Sequence, residues 1–348
     1  MAYITFKPQD YFNTKLYTGT GATGQAQTGV GFQPDMTWIK CRSNAQNHML
    51  QDAVRTATKQ VFPNLTNAET SWTNGLTSFD SDGFTVAGSD EGGASSKTYV
   101  AWNWKGGTTS GIATNGSTTI TPSAYSFSQT AGCSIIKYTG NGTAGAKLAH
   151  GLGAKPDFIL IKGLDATTDW DVYHSSLGAT KWLELNASGS VSTSTNRWND
   201  TEPDSVNITL GDSTHVNDSS EFVAYCFSAK RGFSKFGKYT GNGNANGSFA
   251  YTGFKPAFLL LKQSSGSQGW FLVDNKRANP FNPVDGSLHP NANAAEDTSS
   301  DFFVDFTSNG FKLRDSDSQL NGSGSDYIYI SFSEEPLVAS NDDPATAR

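Results

Sequence analysis

Basic runs, long apolar stretches and paired cysteines are all missing from this sequence, and each absence removes a class of protein. Lys and Arg total 25 against 32 Asp and Glu, for a net charge of −7. A chain whose main task is to neutralise phosphates concentrates cations, so no nucleic-acid partner is expected. The longest apolar stretches, such as Ala257 to Leu261, fall far short of the roughly 18 residues of a membrane span, and no membrane insertion is expected. The opening Met1-Ala-Tyr-Ile-Thr-Phe-Lys7 has no basic segment followed by an apolar one, so synthesis and folding in a cytoplasm are expected. Cys41, Cys133 and Cys226 cannot all pair and none stands in a Cys-x-x-Cys context, which argues against a disulfide framework or zinc site. Only three Met are present, and no 3.6-residue apolar pattern is sustained. The best helical candidate is about ten residues around Ala53 to Val61.

What the sequence has in quantity is glycine (36 residues), Ser, Thr and Asn, with 12% aromatics. That mixture favours short strands joined by many turns. One anchor recurs three times: Tyr17-Thr-Gly-Thr-Gly, Tyr138-Thr-Gly-Asn-Gly and Tyr239-Thr-Gly-Asn-Gly. After 17 or 18 residues each is followed by a proline opening an apolar strand that ends in lysine: Pro34 to Lys40, Pro156 to Lys162, Pro256 to Lys262. Near-continuous apolarity marks these as strands buried on both faces. An Asp-x-x-basic element comes next, Asp52 with Arg55, Asp171 with His174 and Asp274 with Arg277. A closing strand begins at Tyr99, Phe222 and Tyr327, with the alternation of a strand that has one face in a core.

The fold class expected is therefore all-β: three tandem β-sandwich modules, jelly-roll or concanavalin-like, set in line. Module 1 spans 1–107, a Gly/Ser/Thr linker 108–122, module 2 123–232, module 3 233–338 and a tail 339–348. The stretch Gly106 to Pro122 reads as a flexible tether that lets module 1 take its own orientation. The short charged joint from Ser228 to Lys238 reads as docking modules 2 and 3 together.

The Tyr-Thr-Gly-Asn-Gly turns, the Gly-Phe-x-Pro starts at Gly31 and Gly253, the Phe79-Asp-Ser-Asp-Gly-Phe84 turn and the Ala101-Trp-Asn-Trp-Lys105 ending resemble repeat modules common in virion proteins of marine bacteriophages. The resemblance implies a bacteriophage structural protein, a tail or fibre-associated component for assembly or host attachment. Capsid decoration is the alternative, and a glycan-binding or depolymerising tailspike the second. It implies localisation in the virion and carries over no catalytic residue. Copy two departs from the pattern, with Gly151-Leu-Gly-Ala-Lys-Pro in place of Gly-Phe-x-Pro.

No residue set specifies a catalytic centre, a cofactor or a metal. Gly19-x-Gly21-x-x-Gly24 and Gly140-x-Gly142-x-x-Gly145 match a dinucleotide fingerprint literally but are followed by no helical pattern, and hairpin turns account for them. Asp80, Asp82, Asp315, Asp317, Asn321 and Asp326 could offer oxygen ligands to calcium, yet Asp-Gly pairs serve turns by themselves. Asp165, Asp169 and Asp171 around Trp170, and Asp301 with Asp305, are the groupings in which a glycosidase's acid pair could be sought, but such clusters are expected by chance among 32 acidic residues and no enzymatic activity is expected. The five histidines, His48, His150, His174, His215 and His289, show no metal-binding spacing. Trp38, Trp102, Trp104 and Trp270 sit among apolar neighbours and read as core. Trp72, Trp182 and Trp198 lie among polar residues and are the candidates for contact with a surface glycan or partner. Expected partners are other virion proteins, a host surface glycan or protein, and further copies of the chain, with a homotrimer favoured over other homo-oligomers.

Overall fold

A computed structural model describes residues 4–277, 281–299 and 302–335. The tail at 339–348 and Asp301 lie outside the described residues.

Copy one contains β1 (Phe12–Thr18), β2 (Gln25–Thr28), β3 (Met36–Cys41), β4 (Met49–Asp52), β5 (Lys59–Val61), β6 (Thr70–Ser71), β7 (Leu76–Asp80), β8 (Gly83–Val86) and β9 (Thr98–Trp104). Copy two contains β10 (Ala124–Ser128), β11 (Cys133–Thr139), β12 (Ala146–Ala149), β13 (Phe158–Gly163), β14 (Trp170–His174), β15 (Lys181–Glu184), β16 (Ser192–Thr193), a one-turn helix α1 (Thr195–Trp198), β17 (Asn207–Leu210) and β18 (Glu221–Phe227). Copy three contains β19 (Ser234–Thr240), β20 (Phe249–Tyr251), β21 (Phe258–Gln263), β22 (Trp270–Asp274), β23 (Val304–Thr307), β24 (Gly310–Leu313), α2 (Ser318–Asn321) and β25 (Asp326–Phe332). The segment around Ala53 to Val61 is no helix; it forms turns and then β5, in keeping with its β-branched content.

The fold is all-β, its named strands pair antiparallel, and one strand order recurs. It is β1-β9-β3-β4 in copy one, β11-β18-β13-β14 in copy two and β19-β25-β21-β22 in copy three. A smaller outer sheet covers one face of each: β2-β8-β7, β12-β17 and β20-β24-β23. The anchor motif holds each copy in the same way. Its tyrosine stacks on the first aromatic of the closing strand, Tyr17 on Tyr99, Tyr138 on Phe222 and Tyr239 on Tyr327, at 4.9–5.2 Å. Each tyrosine hydroxyl donates to a backbone carbonyl, of Gly92, Val216 or Leu320. The glycine two residues on is required by close approach: a Cβ at Gly19, Gly140 or Gly241 would lie 2.0–2.3 Å from a backbone oxygen.

Alternate residues of the closing strands serve two cores. Tyr99 and Ala101, Phe222, Ala224 and Cys226, and Tyr327 and Tyr329 face the outer sheet of their own copy. Val100, Trp102 and Trp104, Val223, Tyr225 and Phe227, and Ile328, Ile330 and Phe332 all enter one shared core. The expectation of a single core face was therefore half the truth, because the second face of each long sheet packs on the other two long sheets. The copies are not in line; they close around a common axis. Phe12 against Phe332, Trp104 against Phe258 and Phe158 against Phe236 are ring contacts across copies at 5.4–6.3 Å. Burying one such side chain stabilises by about 1.5–3 kcal/mol, so this aromatic centre is a large part of what holds the copies together.

Closure also overturns the flexible tether. Gly106 N–H donates to Asp35, Gly107 N–H to Ser126 Oγ, Thr108 pairs with Phe127, and buried Ile120 pairs with Leu148 of β12. Copy one shares one core with copies two and three, so it has no orientation of its own.

Candidate functional site

The most specific chemistry lies where the copies meet, and it repeats. Each lysine that ends a proline strand is wholly buried and donates both to the carbonyl of the residue after it and to a carbonyl of a neighbouring copy. Lys40 reaches Asn293 O, Lys162 reaches Thr66 O and Lys262 reaches Ser188 O, at 3.2–3.3 Å. Desolvation by burial pushes all three ammonium groups down to about 8. Cross-strand from Lys162 and Lys262, and just before β4 in copy one, stands a ring that donates an N–H to the same neighbour. Trp170 gives to Phe62 O at 2.9 Å and Trp270 to Glu184 O at 2.8 Å. In copy one the ring is His48: Trp38 Nε1 donates to its Nδ1, leaving Nε2–H to face His289 O at 3.0 Å.

A second contact per joint comes from the residue paired with the start of the proline strand. Met36 pairs with Asp52, Phe258 with Asp274 and Phe158 with His174. Copy two is thus three residues out of step with the Asp-x-x-basic motif: His174, not Asp171, holds the place of Asp52 and Asp274. Between copies one and two, Arg55 Nε binds Asp52 at 2.7 Å, while Tyr225 of β18 donates to Asp52 at 2.7 Å and accepts from Arg55 at 3.1 Å. Between copies three and one, Arg277 binds Asp274 at 2.6 Å and Glu296 at 2.7 Å, and Trp102 of β9 donates to Asp274 at 2.9 Å. Between copies two and three the facing residue is Ile330, which offers no polar group. There His174, whose Nδ1 accepts from Ser176 N–H, turns Nε2–H to the carbonyl of Tyr329 at 3.2 Å. Burial lowers the His174 ring to about 4, so it is neutral near pH 7.

The candidate surface tryptophans separate. Trp72 is exposed at 39%. Trp182 is half-buried, with the Arg197 guanidinium 4.3 Å over its ring. Trp198 is a correction: at 1% exposure it is core of copy two, packed edge-on against Tyr173, because α1 turns this ring inward beside the buried Arg197 and leaves Thr195 exposed. Trp38, Trp102, Trp104 and Trp270 are buried as expected. Asp165, Asp169 and Asp171 surround Trp170 in sequence but serve different partners: Glu221 N–H, Asn186 Nδ2 and Arg197 Nε. Asp171 is fully buried between the sheets of copy two, its second oxygen 3.3 Å from His215 Nδ1. Asp305 lies 3.4 Å from Arg314. Asp82 accepts from Gly29 and Gly31 N–H, Asp80 from Ser78 and Thr85, and Asp317 caps α2. Asn321 ties the Asn242–Asn244 turn to Asp315 O.

Reading for tryptophan missed the more exposed aromatics, all on copy three: Phe249 (47%) and Tyr251 (59%) on β20, and Phe281 (69%). Tyr251 pairs with Gly310, and Gly310 with Thr307, so no aromatic stands beside Tyr251 in its row of the outer sheet. Their signal was available as Phe249-Ala-Tyr251, an aromatic alternation around a small inward residue.

Residues 7–336 match the model of a family described as a domain of unknown function, DUF7483, and the chain belongs to that family. No curated protein and no solved structure matches it.

Proposed function

We propose that this protein is a non-enzymatic structural component of a bacteriophage virion, a rigid tail- or fibre-associated block that other virion proteins seat and that contributes to assembly or host-surface contact. The observation that carries the reading is the use made of buried polar groups. Lys40, Lys162, Lys262, His48, His174, Asp52 and Asp274 are each committed to a joint between copies. Groups so engaged fix geometry and are not free to bind a reactant. The repeat-module resemblance supplies the particle as the setting.

Two assemblies were expected, a homotrimer and a subunit held by virion neighbours. We favour the second, because the contacts a trimer would make between chains are made here within one chain. Host contact, on this reading, falls to the exposed aromatics Phe249, Tyr251 and Phe281 of copy three, which suit stacking on sugar rings or apolar partner groups.

The test is cryo-EM of purified particles with an antibody raised against the recombinant protein. Decoration of the tail or its appendages is expected. Absence from particles that package DNA normally would overturn the virion reading, and decoration of the capsid shell alone would overturn the tail assignment.

A further inference from the structure

The outer sheets of copies one and two share an edge that, among the described residues, is covered in one and open in the other. In copy two, residues 118–121 run alongside β12, Ile120 pairing in parallel with Leu148. Thr119 and Ile120 N–H donate to Lys147 O, and Ala149 N–H donates to Ile120 O. Those residues arrive from the closing strand of copy one, after Trp104. In copy one the equivalent edge strand is β2. The ladder sets Thr28 opposite Gly83 as Ala149 stands opposite Asn207, so Ala26 and Thr28 correspond to Lys147 and Ala149. Gln27 O points at β8, since a Cβ on Gly83 would lie 1.9 Å from it; Ala26 and Thr28 therefore direct their backbone groups outward. Among the described residues neither makes a hydrogen bond beyond its own sheet.

The joints run in a ring, so the exit of copy three should serve copy one as the exit of copy one serves copy two. Glu334 stands two residues after Phe332 as Gly106 stands two after Trp104, and both aromatics pair with the start of a proline strand. Glu334 and Glu335 line a cleft with Gly29, Val30 and Gly31, the residues that follow β2. The thirteen residues 336–348 extend up to about 40 Å at roughly 3.3 Å each, ample for reaching Ala26.

We propose that residues 336–348 of this same chain dock along the open edge of β2, completing the outer sheet of copy one as residues 118–121 complete that of copy two. An uncovered edge is a template for pairing with other chains, so this segment would also keep copies apart until a virion neighbour displaces it.

Amide hydrogen exchange at Ala26 and Thr28 tests this in the full chain, in a chain shortened after Glu335, and in the shortened chain with synthetic peptide 336–348 added. Thr28 should exchange at least tenfold faster on shortening and recover with peptide. A Thr28→Pro variant removes the outward donor at an edge position that tolerates proline, and should speed elastase cleavage after Val338 by tenfold. Equal Thr28 rates in full and shortened chains, or unchanged cleavage in Thr28→Pro, overturn the proposal. Protection that appears only as the full chain self-associates would overturn it too, by assigning the edge to a second copy.

Discussion

Two of the three joints are ionic and one is not. Where copy one meets copy two, and copy three meets copy one, a buried Asp–Arg pair sits against a residue with a polar tip, Tyr225 or Trp102. Where copy two meets copy three, that tip is replaced by Ile330 and the pair by His174 with Leu177. A buried ion pair survives only when every lone pair and N–H finds a partner, and the facing tip is one of those partners. Losing the tip and losing the pair are therefore one change, made on two strands of different copies.

The largest test of that comparison removes one ion from a joint. Arg277→Met leaves Asp274 without its cation in a buried interface, while Glu296 keeps Arg42, and should cost about 3–5 kcal/mol in urea unfolding, with Arg55→Met similar. The double change Asp274→Leu with Arg277→Met should recover more than half of that loss, and a double variant no more stable than the single one would show that geometry, not charge, sets the cost. His174→Leu at the non-ionic joint should cost less than either Arg change at pH 7.

Acid should act next most strongly, and mainly through histidine. His174 and His150 are lowered to about 4 by burial, below the 6.5 of an unfolded chain. Between those values the unfolded chain binds more protons, so stability is full above pH 6.5 and falls as pH drops toward 4, by up to about 3 kcal/mol per ring at 1.36 kcal/mol per pH unit. Denaturant midpoints from pH 7 to pH 4.5 should fall less steeply in His174→Leu than in the parent. Equal slopes would mean that the ring is charged in the fold.

The smallest effect probes what all three joints share. Lys40, Lys162 and Lys262 ionise at about 8 in the fold and 10.5 unfolded. The unfolded chain again holds the extra protons in that window, so stability rises with pH, by about 1 kcal/mol per lysine between pH 7 and pH 9. Burial raises the thiols of Cys133 and Cys226, which opposes the rise from about pH 9 upward. Each Lys→Met variant should lose about a third of the rise, and a variant that loses none would place its lysine outside the set.

Much of the fold was legible because the repeat constrains it. The anchor, the proline strand and the closing strand recur in order, and they became equivalent strands with equivalent pairing. The candidate sites were less legible. Asp171 was matched to Asp52 by local spacing, but a strand residue's role is set by its ladder partner, and the ladder put His174 there. Trp198 sat among Thr, Asn and Asp in sequence, yet a single helical turn suffices to point one ring inward. The linker's Gly/Ser/Thr composition allowed flexibility; its hydrogen bonds to Asp35, Ser126 and Lys147 were supplied from other segments.

By itself the sequence determined where strands and turns fall, since glycine at close approaches and apolar alternation act over a few residues. It also required cover on both faces of the proline strands, and Val100, Trp102 and Trp104 asked the same of a closing strand. Only the tertiary structure decided what that cover is. Hydrophobic burial is non-directional, so an apolar face states that it must leave water without naming its partner. The partner was settled by closure of three long sheets on one another, where the lysine and ring N–H groups of each copy find carbonyls that only the next copy provides.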